Sequence, residues 1–269
     1  MLLAKLLLAT LLGACEAGSD FGVDPALRLH GHNDYLQLVP LTRALELGLG
    51  SIEADVYLVD GELRVGHERW QLRPGRTLSS LYLDPLLAAV RAGQPLRSDG
   101  APLVLLVDIK ADGASVYRAL RGLLPRYRDL LTRFVDGRVE PGPVTIVLSG
   151  ARPEAMVAAD RDRWCAIDGR LGDLERRPAP PEHLVPWISS SWRSLSDWTG
   201  SDELMPDEVE LVRGLVERAH AQGRELRFWG APDRREAWGA FFDLGVDRIG
   251  SDQPKQAARW LRAERSTAR

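Results

Sequence analysis

Strand-like and helix-like segments alternate along almost the whole chain, and this alternation limits the possible fold more than any other feature. Residues 102–110 form a continuous apolar run, which is typical of a parallel strand that is buried on both faces. Helical segments, several of them closed by glycine or proline, lie between most of the strand segments. The pattern predicts an α/β protein with a parallel sheet. The eight strand segments are residues 27–30, 51–59, 102–110, 144–148, 164–167, 185–189, 225–229 and 247–250.

The number of strand segments and the chain length favour a barrel. The chain has 269 residues, and a single (β/α)8 barrel takes about 250. A doubly wound open sheet is the competing fold, but no glycine-rich phosphate loop follows the first strand segment. Asp60 and Gly61 follow the second strand segment and predict a two-residue β-hairpin turn. We expect a single (β/α)8 TIM barrel over residues 25–269, with a β-hairpin after strand 2.

The first 15 residues have the composition of an export signal. One lysine and a short apolar run precede small residues and Cys15, and the run is too short to span a bilayer. Residues 12–15, L-G-A-C, resemble the bacterial lipoprotein box, in which the cysteine is lipidated. We expect an exported chain that is anchored to a bacterial membrane through Cys15 and joined to the barrel by a tether over residues 16–24. An ordinary cleaved signal, giving a periplasmic or secreted protein, and a cytosolic chain are the alternatives.

Overall composition restricts the partners. The chain is 45% hydrophobic and 27% charged, which is ordinary for a globular protein, and its formal net charge is −3. We therefore expect no nucleic-acid partner. The chain is also expected to be a monomer. If Cys15 is lipidated, Cys165 has no disulfide partner, and we expect it to be a small buried core residue.

Two carboxylates interrupt the apolar strand segment 51–59. Glu53 and Asp55 are two residues apart, so they lie on the same face of a strand. Like charges this close are unfavourable unless a cation or a shared proton offsets the repulsion. The hairpin returns His67 towards them. Carboxylates beside an imidazole predict a metal-assisted acid–base site. The alternative is an edge hairpin whose acids face water.

A second acidic strand end repeats this arrangement. Asp108 and Lys110 close the buried segment 102–110 with opposite charges at the same spacing. In a β/α barrel the functional groups lie at the C-terminal ends of the strands. Asp108 is therefore a candidate third ligand for the cation, and Lys110 a candidate partner for an anionic substrate oxygen. A plain Asp–Lys pair is the alternative.

These motifs together resemble the phosphodiesterase superfamily that contains glycerophosphodiester phosphodiesterases, phosphatidylinositol-specific phospholipases C and sphingomyelinase D toxins. The resemblance rests on the strand-ending His30, Glu53-x-Asp55, His67 and Asp108-x-Lys110. The segments H-G-H-N-D-Y, S-I-E-A-D-V, V-G-H and R-F-W-G-A-P are most similar to the branch named after yeast altered inheritance of mitochondria protein 6. The usual H-R-G and P-E-N-T of glycerophosphodiesterases are absent, and the third acid is aspartate rather than glutamate.

The resemblance implies roles for seven residues and a phosphoric diester hydrolase activity on glycerophosphodiesters or phospholipid head groups. His30 and His67 resemble the acid–base pair, and Lys110 the residue that stabilises phosphate charge. The remaining implied groups are the ligands Glu53, Asp55 and Asp108 for one Mg²⁺ or Ca²⁺ ion, and Trp229 as an aromatic substrate contact. His32 and Asn33 stand near the place of the absent H-R-G, and His32 shares the strand parity of His30, so we expect both to contact the substrate. Another metal-dependent barrel enzyme, such as a sugar-phosphate isomerase or lyase, and a non-catalytic phosphate- or lipid-binding barrel are the alternatives.

Overall fold

Eight parallel strands close into a barrel in the computed structural model, which describes residues 24–267. The strands of the described chain are β1 (Leu29–Gly31), β2 (Ser51–Val59), β3 (Glu62–Val65), β4 (Leu103–Ile109), β5 (Arg133–Val135), β6 (Arg138–Glu140), β7 (Val144–Gly150), β8 (Asp162–Arg163), β9 (Cys165–Gly169), β10 (Trp187–Ser191), β11 (Glu225–Trp229) and β12 (Arg248–Ser251). The barrel order is β1, β2, β4, β7, β9, β10, β11 and β12, and β12 pairs with β1 to close the ring. This confirms the predicted TIM barrel.

Helices cover the outside of the barrel. They are α1 (Thr42–Leu47), α2 (Asp84–Arg91), α3 (Gly113–Leu123), α4 (Glu154–Ala159), α5 (Pro206–His220), α6 (Arg235–Asp243) and α7 (Pro254–Thr267). A π-helical turn, Ser79–Leu83, runs directly into α2. The longest helix, α5, begins with Pro206, whose fixed φ suits the first helical position, and Glu208 accepts a hydrogen bond from the backbone N–H of Met205. No helix within residues 24–267 has both the length and the apolar character to cross a membrane.

Two apolar layers support the barrel. The larger one lies between the strands and the helices. A smaller one contains Leu106, Val147, Ala166 and Trp187, all buried. Each of these four lies two residues before a polar side chain on its strand, so it shares the inward face with that side chain. The inner layer therefore closes the barrel beneath the polar residues at the C-terminal ends of the strands.

The predicted hairpin follows β2. Asp60 and Gly61 have φ values of 52° and 79°, the positive pair that a type I′ turn requires. β3 then pairs antiparallel with β2, opposing Val65 to Val56. This register places His67 beyond the hydrogen-bonded end of β3, and the N–H of Gly66 donates to the carbonyl of Asp55. The turn thus fixes the position of His67 beside β2.

The structure differs from the sequence prediction in one strand boundary and in one additional small sheet. The predicted strand 185–189 is β10, two residues later, and β5, β6 and β8 form a three-stranded antiparallel sheet that was not predicted. The expected signal at residues 1–15 and the tether up to residue 23 lie outside the described residues. Asp24, the last residue of the predicted tether, is described, and it contacts the barrel by accepting a 2.9 Å hydrogen bond from Arg262 of α7. Cys165 is buried and free, as predicted.

Candidate active site

Three carboxylates from two neighbouring strands meet at the C-terminal end of the barrel. Glu53 and Asp55 lie on β2, and Asp108 lies on β4 directly opposite Asp55 in the parallel register. One oxygen from each of these three residues lies within 4.8 Å of the others. Two oxygens that bind one ion at about 2.3–2.6 Å can be at most about 5 Å apart. The spacing therefore fits a single divalent cation.

The two oxygens of Asp55 have very different surroundings. Its Oδ2 accepts three hydrogen bonds of 2.8 Å, from Tyr35, His67 and Lys110. Its Oδ1 is buried and has no hydrogen-bond partner. A buried carboxylate oxygen without a partner is unfavourable, and an ion bound by these acids would satisfy it. This orphaned oxygen is the clearest sign that the donor set fits a hard cation such as Mg²⁺ or Ca²⁺.

Glu53 is held by two side chains that reach it from other strands. Its Oε2 accepts from His30 Nε2 at 2.9 Å and from Arg227 Nη2 at 2.8 Å. Burial alone would raise the pKa of Glu53, but the Arg227 guanidinium and the bond from His30 hold it well below its usual range. Glu53 is therefore ionised. Its other oxygen, Oε1, faces His32 Nε2 at 4.0 Å.

His30 is fully buried and uses both ring nitrogens. Because a carboxylate only accepts, Nε2 donates to Glu53, and Nδ1 lies 2.9 Å from the Ser51 hydroxyl. Burial and the nearby charge of Arg227 lower the pKa of His30 to about 3. A neutral ring that donates from Nε2 accepts at Nδ1, so Ser51 donates to it. This arrangement leaves neither nitrogen of His30 available to a substrate.

Lys110 lies between two of the acids. Its Nζ is 2.8 Å from Asp55 Oδ2 and 2.7 Å from Asp108 Oδ2. Burial alone would lower the pKa of Lys110, but the two carboxylates raise it. The ammonium therefore stays charged and partly exposed, at the edge of the carboxylate cluster.

His32 and His67 lie on either side of this cluster and remain accessible. Their side chains are 38% and 48% exposed. His32 Nδ1 lies 2.7 Å from Asp252, and His67 Nδ1 lies 2.8 Å from Asp55. Burial alone would lower the pKa of His32, but the bond to Asp252 and the charge of Glu53 raise it overall. In both rings a carboxylate orients Nδ1. His32 Nε2 lies 3.3 Å from Asn33 Nδ2 and 4.0 Å from Glu53 Oε1, and His67 Nε2 lies 3.9 Å from Glu68 Oε1.

The two other predicted substrate contacts also lie at this end of the barrel. Asn33 follows His32, and its side-chain amide lies 2.8 Å from the Tyr35 hydroxyl. Trp229 ends β11 and is 47% exposed. The structure therefore brings all nine predicted site residues to one end of the barrel.

Sequence reasoning missed three residues of this cluster: Arg227, Tyr35 and Ser51. Arg227 lies two residues before Trp229, on the inward face of β11, between the outward-facing Leu226 and Phe228. Ser51 precedes Glu53 at the same spacing on β2. Strand alternation, applied to every barrel strand rather than to the acidic ones alone, would have found both. No comparable signal marks Tyr35, because it lies in a single 3₁₀ turn, Asp34–Leu36, that follows the short strand β1.

Comparison with known proteins gives the family. The AIM6-like phosphodiesterase domain matches residues 21–167, which hold all the predicted site residues except Trp229. The altered inheritance of mitochondria protein 6 homolog of Arthroderma benhamiae is 31% identical, over 88% of this chain and 84% of the relative. The chain belongs to the AIM6-like phosphodiesterase family. A second member of the family, from Eremothecium gossypii, is 30% identical over 84% of this chain and 67% of its own length.

Solved structures agree on the fold of this AIM6-like chain. A glycerophosphodiester phosphodiesterase from Parabacteroides distasonis superposes with a TM-score of 0.54 at 15% identity, covering 89% of this chain and 98% of that one. A putative glycerophosphoryl diester phosphodiesterase from Agrobacterium tumefaciens gives a TM-score of 0.52 at 16% identity, with the same coverage. At these identities the likeness establishes a shared barrel.

Proposed function

We propose that this AIM6-like chain is a metal-dependent phosphoric diester hydrolase that acts on glycerophosphodiesters or phospholipid head groups. One observation carries the proposal: a buried orphaned carboxylate oxygen of Asp55 lies among three acids, beside the ammonium of Lys110 and two accessible imidazoles. This set supplies charge stabilisation and two proton-transfer groups, which are what cleavage of an anionic diester needs. Family membership favours this reaction over sugar-phosphate isomerisation or a purely binding role.

Glu53, Asp55 and Asp108 would hold one Mg²⁺ or Ca²⁺ ion. When bound, such an ion polarises a non-bridging phosphate oxygen and offsets its charge. The protein's own contribution begins with Lys110, whose ammonium stays charged between Asp55 and Asp108. It stabilises the negative charge that develops on the phosphate oxygens. A compact ammonium fits this position between two carboxylates better than a planar guanidinium.

His32 and His67 transfer the protons in this proposal. Asp252 and Asp55 hold their Nδ1 atoms, so we assign to the Nε2 atoms the transfer of the nucleophile's proton and the protonation of the leaving alkoxide. The nucleophile is water or a neighbouring hydroxyl of the substrate. This proposal differs from the sequence prediction, which gave the first proton-transfer role to His30. The reason for the change is that His30 is fully buried with both nitrogens hydrogen-bonded. We assign His30 the role of positioning Glu53.

We also propose that the chain is exported, anchored through a lipid on Cys15, and monomeric. The support for the anchor is the L-G-A-C sequence at residues 12–15, which ends the apolar N-terminal run. Mass spectrometry of protein from its native host should find Cys15 as a modified N-terminal residue. An unmodified peptide spanning residues 14–16 as the main species would contradict the anchor.

The activity is tested by measuring alcohol release from a panel of phosphodiesters. Glycerophosphocholine, glycerophosphoethanolamine and intact phospholipids are incubated with the purified chain, first with EDTA and then with added Mg²⁺ or Ca²⁺. We expect release from at least one substrate that EDTA abolishes and one of the two ions restores. An Asp108→Asn variant should lose the response to the ion. Absence of release from every substrate with either ion would overturn the proposal.

A further inference from the structure

Large apolar side chains stand exposed around the candidate active site. Among the described residues, five of the eight large hydrophobic side chains that are exposed belong to segments that border the site. We call these five the apolar rim: Leu36 (59% exposed), Leu38 (99%), Val39 (49%), Trp70 (72%) and Trp229 (47%). Single exposed hydrophobic residues are ordinary on soluble proteins, whereas a group around an opening indicates a binding surface.

The loop that carries three rim residues is held in this outward position from both ends. Before the tip, Tyr35 is buried and donates to Asp55 at 2.8 Å. After the tip, Leu41 is buried and its N–H donates to the carboxylate of Asp34 at 2.7 Å. Leu41 has a φ of 61°, which is costly for a leucine. These buried hydrogen bonds and the strained backbone at Leu41 therefore hold the loop in a conformation that leaves Leu38 almost wholly exposed to solvent.

Hydrogen bonds join the rim segments to one another. Arg76, in the segment after β3 that also carries Trp70, donates to the carbonyl of Tyr35 at 2.9 Å. On the other side of the loop, Gln37 donates to the carbonyl of Asp252 at 3.2 Å, just beyond β12. β12 pairs with β11, which ends at Trp229. The rim is thus one connected border around the strand ends that carry His32 and His67.

We propose that the apolar rim docks on the surface of a phospholipid membrane, with the active site facing the lipid head groups. Tryptophan and leucine are the side chains that enter a membrane interface, and arginine beside them favours anionic lipids. Residues 68–76 carry three arginines against one glutamate, and Arg69 and Arg73 are exposed on either side of Trp70. The rim surrounds the opening through which substrate must enter, as expected if the lipid surface itself presents it. This inference rests on the proposed function for the identity of that substrate.

Quenching of tryptophan fluorescence by brominated phosphatidylcholine tests the docking. Vesicles of this lipid with phosphatidylglycerol are mixed with the full chain carrying Cys15→Ser, so that no lipid is attached. All eight tryptophans lie at or after residue 70, so the signal reports the barrel and not the apolar N-terminal run. We expect marked quenching, at least halved in Trp70→Phe, because Trp70 is the most exposed tryptophan.

Val39 and Val139 form a matched pair for this experiment. Both are 49% exposed, but Val139 lies on β6, in the three-stranded sheet that precedes β7 at the opposite end of the barrel. Val39→Asp should lower the lipid affinity about tenfold, since it places a charge among the groups that enter the interface. Val139→Asp should leave the affinity unchanged. Equal quenching in both variants, or none in the parent chain, would overturn the proposal.

Two further measurements separate this inference from the proposed function and from another occupant of the rim. Hydrolysis of a water-soluble glycerophosphodiester should be equal in Val39→Asp and Val139→Asp, because neither residue belongs to the site. Quenching without hydrolysis would leave docking intact and overturn the proposed function. Hydrolysis without quenching would leave the proposed function intact and overturn docking. A vesicle-free dimer that Val39→Asp dissociates would show that a second copy covers the rim, and would also overturn membrane docking.

Discussion

Arg227 donates from Nη2 to Glu53 Oε2 at 2.8 Å across the interior of the barrel, from β11 to β2. Both side chains are at least nine-tenths buried, and Arg227 Nε has no hydrogen-bond partner. The same glutamate oxygen also accepts from His30. Glu53, one of the three proposed metal ligands, is therefore already paired with a permanent positive charge of the protein, the Arg227 guanidinium. Arg227 offsets the charge of the acidic cluster and competes electrostatically with any ion that binds there.

Replacement of Arg227 by methionine should therefore tighten the binding of a divalent cation. Without the guanidinium, the acids present one more uncompensated negative charge, and we expect affinity to rise by about tenfold, the effect of roughly 1.4 kcal/mol. Isothermal titration calorimetry with Mg²⁺ and Ca²⁺ measures the change. Arg248→Met is the matched control, because Arg248 is equally buried but pairs with Glu225.

The same substitution should also weaken the metal-free protein. A buried carboxylate that loses its cationic partner is strongly destabilising, so the Tm of Arg227→Met should fall in EDTA and recover more than that of the parent chain when the ion is added. Unchanged or weaker cation affinity would show that Arg227 only supports the shape of the site.

Sequence alone was enough for the barrel and for the acidic cluster, because both depend on short-range patterns. Apolar runs such as that of β4 mark buried strands, and the pairs Glu53–Asp55 and Asp108–Lys110 fix their own faces by alternation. Arg227 was missed because its partner Glu53 is 174 residues away in sequence. The strands β5, β6 and β8 were missed because they have only two or three residues each and are stabilised by pairing with one another.

The roles of the two first histidines could not be separated from sequence either. His30 and His32 have the same strand parity, and only the three-dimensional structure shows that the first is enclosed by Ser51 and Glu53 while the second is accessible. Burial of a particular side chain depends on the whole barrel, which closes only when β12 meets β1. Local pattern does not contain that information.

Alanine variants of the histidines distinguish these roles. His32→Ala and His67→Ala should each lower kcat by about 10²- to 10⁴-fold, the usual contribution of an acid or base. His220→Ala is the control, since His220 is exposed on α5 and bonds to Asp247 away from the site. If the two histidines act in opposite protonation states, the parent chain shows a bell-shaped pH profile. Full activity in His32→Ala, with loss of activity in a folded His30→Gln, would return the proton-transfer role to His30.

The stability of the loop that carries Leu36, Leu38 and Val39 should depend on pH through Asp34. Burial raises the pKa of this carboxyl, and the hydrogen bonds from Leu41 and Tyr82 offset only part of the increase. A carboxyl with a raised folded pKa opposes folding above its unfolded pKa of about 4, and this penalty disappears as the pH falls through the folded pKa. Asp34→Asn should therefore have a higher Tm than the parent chain at pH 7, and the difference should vanish near pH 4.

Asp99 provides a control of opposite sign for that measurement. The hydrogen bond from Arg97 lowers the pKa of Asp99, so its ionisation favours folding above the unfolded pKa and the benefit is lost as the pH falls. Asp99→Asn should lower Tm at pH 7. An Asp34→Asn variant that is less stable than the parent chain at pH 7 would mean that the lost charge–dipole interactions outweigh the cost of burial.

Cys165 should be unreactive in the folded protein. It is buried on β9, and burial raises the pKa of its thiol to about 12. Since the thiolate is the reactive form, iodoacetamide at pH 8 should leave Cys165 unlabelled for hours in buffer and label it fully in urea. Mass spectrometry of the peptide that contains Cys165 reads both states. Rapid labelling in buffer would indicate that β9 opens locally.

Lys110 offers the sharpest test of how the site handles phosphate charge. Its Nζ lies within 2.8 Å of both Asp55 and Asp108, so it also offsets the repulsion between two proposed metal ligands. Lys110→Ala should lower kcat by about 10²- to 10³-fold, the usual loss when one donor to a developing anion is removed. Lys255→Ala is the control, because Lys255 is exposed on α7. The assay is hydrolysis of the best substrate from the phosphodiester panel at saturating ion.

Lys110→Arg separates charge from shape at this position. The guanidinium keeps the positive charge but is planar and larger, so it cannot occupy the point between the two carboxylates. We expect Lys110→Arg to retain the fold and to bind the cation, measured by calorimetry, while its kcat stays well below that of the parent chain. Full activity in Lys110→Arg would show that net charge alone is required. Loss of cation binding in both variants would instead make Lys110 a positioning residue for Asp55 and Asp108.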